Sequence, residues 1–122
     1  MVAYRVEAGA IAASLAGRGD AARGRNIVLG RDANCTLCHA VPDDGGQLAG
    51  NLGPPLAGTG ARWTEAQLRL RIVDSRRLNP DTIMPSYYRV EGLDRVAPRY
   101  RGIPVLTAQE VEDVVAYLLT LR

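Results

Sequence analysis

Cys35-Thr36-Leu37-Cys38-His39 holds every cysteine and the only histidine of this 122-residue chain. All of its thiol and imidazole chemistry is therefore confined to little more than one helical turn. A Cys-x-x-Cys pair serves a few chemistries. A thioredoxin-type redox site needs a βαβ pattern around it, and none is visible. A structural zinc site takes four ligands, usually from Cys and His, and the chain has only three such groups. A chance occurrence is the bland alternative. The remaining reading asks for nothing the chain lacks. Cys-x-x-Cys-His attaches a c-type haem, with Cys35 and Cys38 joined to the vinyl groups as thioethers and His39 held under the iron as proximal ligand.

Length gives one domain, with a modest core. The chain has no Phe and one Trp, so it offers few large aromatic anchors. A buried porphyrin would supply the missing flat apolar body. The haem is thus expected to be part of the core and the haem-free protein to be poorly folded, since a ligand that binds only the native state stabilises it. A net charge of +2 is too mild to argue for nucleic acid. All fifteen basic residues are arginine. The plain explanation is coding bias of a GC-rich genome; the functional one is that arginine suits interface ion pairs. No segment approaches the ~18 consecutive apolar residues of a membrane span. The first residues do not read as a secretory signal. Haem is attached to c-type proteins outside the cytoplasm, so the expectation is a periplasmic mature chain numbered from an added Met1.

Along the chain, residues 1–18 read as an alanine-rich N-terminal extension of uncertain form, and residues 19–122 as the cytochrome domain. Asp20 is a plausible N-cap for a helix over about 21–30, on which Gly24 and Val28 share a face. Residues 42–60 are dense in glycine and proline and read as irregular loop. Thr64 with Gln67 forms a capping-box pattern, with Trp63 and Leu68 at the staple positions; that helix is predicted to run to about Ser75. Thr107 with Glu110, flanked by Leu106 and Val111, repeats the device. The last helix carries Val111, Val114, Val115 and Leu118 on one stripe, at helical spacing, which reads as core packing. No strand pairs are evident, so the predicted class is all-α.

A haem iron has two axial positions, and the second takes His, Met or a similar donor. The chain has no second histidine and no lysine; its methionines are Met1 and Met84. Met84 is the candidate by elimination. Its segment, Asn79-Pro80-Asp81-Thr82-Ile83-Met84-Pro85, supports this. Pro85 biases Met84 towards extended backbone, and Pro80 restricts the other side. With His39 and Met84 on the iron, no open position is left for oxygen or substrate, which favours electron carriage over chemistry at this iron.

The haem motif, the Gly-Pro-rich loop, a later Met-Pro and a closing amphipathic helix resemble a class I cytochrome c. Within that group the chain is similar to the SoxX family, the monohaem subunits of SoxAX complexes in bacterial sulfur oxidation. The carrying segments are Asn34 to Ala40, Asn51 to Leu56, Arg62-Trp63, Asn79 to Pro85 and Leu106 to Leu118, within about residues 19–122. The resemblance implies a class I fold around one covalent haem c. It implies that Pro54, in Gly53-Pro54, offers its carbonyl to the proximal histidine; the alternative is that Pro54 and Pro55 only stiffen a loop. It implies that the first and last helices cross closely, Gly24 against Tyr117. Arg62 and Trp63 could reach a propionate, and Tyr87 and Tyr88 could shield the distal side or simply pack the core. The implied partners are a SoxA-like cytochrome in a heterodimer, the SoxYZ carrier protein through the complex, and a soluble electron acceptor such as a small cytochrome. The complex would be of the L-cysteine S-thiosulfotransferase type, acting on thiosulfate at a SoxA haem, with no catalysis at this chain's own haem. The rival is a free-standing diffusible monohaem carrier. Residues 86–105 are long for a connection, and such loops tend to be functional.

Overall fold

The computed structural model describes residues 1–42 and 49–122. Part of the predicted glycine-rich loop, residues 43–48, lies outside the described residues. Among the described residues five α-helices form in chain order: α1 Ala21–Leu29, α2 Cys35–Cys38, α3 Thr59–Arg62, α4 Glu65–Val73 and α5 Ala108–Thr120. Among the described residues there is no strand, only an isolated bridge between Glu7 and Ala10. No helix among them is long and apolar enough to cross a membrane.

The helix starts follow from their caps. Asp20 accepts from the Arg23 amide at the head of α1. Thr64 and Gln67 close a full capping box on α4, and Thr107 and Glu110 close another on α5. Each cap satisfies amide groups that have no partner within the helix. The sequence places the end of α4 near Ser75; the helix stops at Val73. Asp74 leaves helical geometry at φ −156°, and a 3-10 turn over Ser75–Arg77 follows.

The predicted stripe on α5 is the spine of the core. Val111, Val114, Val115 and Leu118 are all buried, with Val28 of α1 and Leu68, Leu70, Ile72 and Val73 of α4. Burying one such side chain stabilises the fold by roughly 1.5–3 kcal/mol. α1 and α5 make the most extensive helix–helix contact. They can do so because Gly24 has no side chain. A Cβ there would lie 1.9 Å from the Asp113 carbonyl oxygen and 2.9 Å from the Tyr117 Cβ. α3 seals the far end of α5: Thr59 Oγ1 donates to the Leu118 carbonyl at 2.8 Å, and the Gly60 amide donates to the Leu121 carbonyl at 3.0 Å.

Two charged residues beside that stripe are buried as deeply as the valines. Glu112 is 3% exposed and Asp113 is 2% exposed. Arg69 on α4, also 2% exposed, grips Glu112 with a two-pronged pair, Nε to Oε2 and Nη2 to Oε1, both at 2.9 Å. The same guanidinium donates to the Ile11 carbonyl at 2.7 Å and to Glu65 at 3.0 Å. Glu112 also accepts from the Leu15 amide at 3.1 Å. The N-terminal segment is therefore tied into the interior although it forms no helix, and Ile11 is fully buried. Asp113 does the same for α1, accepting from the Asp20 amide at 2.8 Å and from Arg23 Nε at 3.0 Å.

Burial alone would push the Asp113 carboxyl up. Hydrogen bonds from Arg23, the Asp20 amide and Gln109, with the Arg23 charge, outweigh it and hold the group below its ordinary value. A carboxylate with a depressed folded value adds stability above the unfolded value, and that stability is lost as pH falls through the folded one. Unfolding midpoints of the Asp113→Asn variant are therefore expected to vary less with pH than those of the unsubstituted protein as pH falls below about 4, the ordinary carboxylate range. Arg69→Ala leaves Glu112 buried without its partner. A loss of about 3–5 kcal/mol is expected by denaturant unfolding, whereas Arg69→Met with Glu112→Leu is expected to lose much less, because both charges go together.

Candidate functional site

α2 is a single turn that carries both cysteines. Its N-cap, Asn34, sits in the left-handed region at φ 56°, which asparagine tolerates better than most residues. The turn closes with the His39 amide bonded to the Cys35 carbonyl. The glycine-proline segment then runs alongside and fastens to this turn by backbone alone. Gly50 donates to Thr36 at 3.0 Å, Gly53 to Cys38 at 2.8 Å and Leu56 to Ala40 at 2.8 Å. Gly50 permits the approach, since a Cβ there would meet the Leu37 carbonyl oxygen at 1.9 Å.

This fastening fixes the imidazole. His39 Nδ1 lies 2.6 Å from the Pro54 carbonyl oxygen. A carbonyl can only accept, so Nδ1 carries a proton, and in the neutral ring the lone pair lies on Nε2. That is the state in which an imidazole binds a metal. The ring fits against Gly53, where a Cβ would lie 2.4 Å from His39 Cε1. Arg62 holds the loop from below, donating to the Ala57 carbonyl at 2.8 Å and the Pro55 carbonyl at 3.3 Å. Its guanidinium is thus engaged with loop carbonyls.

Met84 is brought to the same place by the segment after α4. Asn79 Oδ1 accepts from the Asp81 amide at 3.0 Å, and Thr82 Oγ1 accepts from the Met84 amide at 3.1 Å. These are local side-chain turns of the kind Asn and Thr favour. Ser75 Oγ donates to the Met84 carbonyl at 2.9 Å. Beyond Met84 the chain pairs with the end of α4, the Tyr87 amide to Ile72 and the Tyr88 amide to Val73, both at 3.1 Å.

Cys35, Cys38, His39, Pro54 and Met84 all line one cavity of about 300 Å³, with Tyr87 in its wall. A second cavity, of about 420 Å³, shares His39, Pro54 and Met84 and is walled by Leu56, Thr59, Arg62, Trp63, Leu68, Arg71, Ile72 and Leu118. Together they make an apolar space, within the range of ligand pockets, bounded by two thiols, an imidazole and a thioether. Both cysteines are unpaired. Burial pushes the Cys35 thiol up to about 11, the opposite of the lowered value a reactive thiolate needs. This disfavours a dithiol redox centre. No group of three or more His, Cys, Asp or Glu side chains among the described residues could hold a metal ion on its own. The donor set fits a haem: one soft and one imidazole ligand for iron, two thiols for attachment, and apolar walls.

Of the two tyrosines after Met84, both buried, only Tyr87 lines the cavity. Tyr88 faces the N-terminus, its hydroxyl accepting from the Val2 amide at 2.7 Å. Arg71 is a wall residue that the sequence reading missed. Its guanidinium stacks 3.6 Å from the centroid of the Trp63 ring, an attractive geometry, and desolvation lowers its basicity. Helical spacing from Leu68 and Ile72 places it beside the apolar face, which is the only signal the sequence carried.

The cytochrome c family model matches residues 21–122. A chain of the crystal structure of SoxXA from P. pantotrophus superimposes with a TM-score of 0.89 at 36% sequence identity, covering 97% of this chain and 93% of that chain. No curated protein sequence gives a match. The cofactor is accordingly a covalently bound haem c, with Cys35 and Cys38 in the attachment position. The chain belongs to the cytochrome c family, with an all-α class I fold, and is an electron-transfer cytochrome of the SoxX type.

Proposed function

We propose that this chain is the relay subunit of a SoxAX complex, accepting electrons from a SoxA-like cytochrome and releasing them to a soluble acceptor in the periplasm. The observation that carries the reading is the pairing of donors around one cavity, His39 with its proton fixed on Nδ1 and Met84 as the thioether. Cys35 and Cys38 anchor the haem, and Pro54 orients the proximal ring. Haem c supplies a one-electron couple when bound. His/Met ligation raises its potential relative to more strongly donating ligands. With His39 and Met84 both on the iron, the haem would have no open position for thiosulfate; in this reading substrate and the SoxYZ carrier are handled through the partner. The likeness to a chain of SoxXA supports a lasting heterodimer.

Met84→Ala is expected to lower the midpoint potential and abolish the far-red methionine–ferric charge-transfer band; an unchanged spectrum refutes the ligand assignment. Pull-down from the native source, read by haem-stained gel and intact mass, is expected to return a larger haem protein in a one-to-one complex. Elution of the chain by itself, under conditions that preserve known heterodimers, would make it a diffusible carrier.

A further inference from the structure

We propose that Ser75 and Thr82 form a hydroxyl clasp that sets how tightly Met84 holds the iron. This rests on the reading of Met84 as the distal ligand. The peptide groups on either side of the Met84 Cα are secured by hydroxyls alone among the described residues. Thr82 Oγ1 accepts from the Met84 amide at 3.1 Å, and Ser75 Oγ donates to its carbonyl at 2.9 Å. The proximal side is different in kind, being fastened to the haem-motif turn by three backbone hydrogen bonds.

Ser75 is well placed to act. It is only 6% exposed and stands in the 3-10 turn that ends α4, so its hydroxyl is held by the rigid frame. The Met84 segment has no helix or strand of its own. Two residues beyond Met84, Ser86 Oγ donates to the buried Asp74 carboxylate at 2.7 Å, which stops the segment from sliding along the frame. Thr82 shapes the approach locally, and Ser75 fixes it to the body. Loss of either hydroxyl leaves a peptide group of Met84 without its partner and raises the fraction of molecules in which the thioether is off the iron. Neither side chain is a ligand; both are positioning residues.

Imidazole, which competes for the distal position, reads that fraction directly, because its apparent affinity scales with the population of the open form. In ferric haem-loaded protein, Ser75→Ala and Thr82→Val are each expected to bind imidazole about tenfold more tightly, the equivalent of one ordinary buried hydrogen bond. Thr82→Ser keeps the acceptor and is expected to restore near-normal affinity. Thr120→Ala removes a comparable hydroxyl–carbonyl bond on α5, Thr120 Oγ1 to Tyr117 at 2.6 Å, and is expected to change nothing but stability. If Ser75→Ala and Thr82→Val lower the unfolding midpoint yet bind imidazole as the unsubstituted protein does, the hydroxyls are merely structural and the clasp is overturned. If the unsubstituted ferric protein lacks the far-red thioether band, the Met84 reading falls and takes the clasp with it.

Discussion

Two neighbouring carboxylates on α5, Glu112 and Asp113, hold this molecule together. Each is buried, and each binds parts of the chain far from it in sequence. Glu112 gathers Arg69 of α4 and the Leu15 amide, while Asp113 gathers the head of α1 through Asp20 and Arg23. A buried charge is costly unless fully paired, so these contacts are obligatory once α5 packs. They also address the difficulty of a small chain that must surround a large apolar space. Directional polar contacts at the back of the molecule let the front stay open.

The front is unequal on its two sides. The imidazole wall is made by backbone bonding to backbone, with Gly50 and Gly53 allowing contact that any side chain would block. That wall is stiff and offers one tautomer of His39. The thioether wall is a segment without regular structure, pinned by side-chain hydroxyls and by Ser86 on Asp74. On the proposed ligation, such a site would present one ligand rigidly and the other adjustably.

Much of this was legible in the residues. Both capping boxes, the apolar stripe of α5 and the small residue at Gly24 are local signals, and local physics decides them. The five candidate site residues line one cavity, because a turn with two thiols, a Gly-Pro loop and a Met-Pro segment each have few backbone options. What stayed hidden was long-range. Nothing near Glu112 and Asp113 in sequence announces Arg69, Leu15 or Asp20. Residues 4–18 look featureless, yet Ile11 and Leu15 enter the core. Arg62 lines the second cavity and also donates to loop carbonyls, while Arg71, which no motif marks, stacks on Trp63. α4 ends early where Asp74 leaves helical geometry, its carboxylate bonded to Ser86 and paired with Arg89.

The ties between the two ends of the chain also set an order of assembly. The Leu15 amide and its Glu112 acceptor are 97 residues apart, and the Asp20 amide and Asp113 are 93 apart. Closing loops of that size is entropically demanding and slows folding. The segment around Leu15 and the head of α1 must therefore wait for α5, and any product that stops short of α5 lacks the acceptors on which they close.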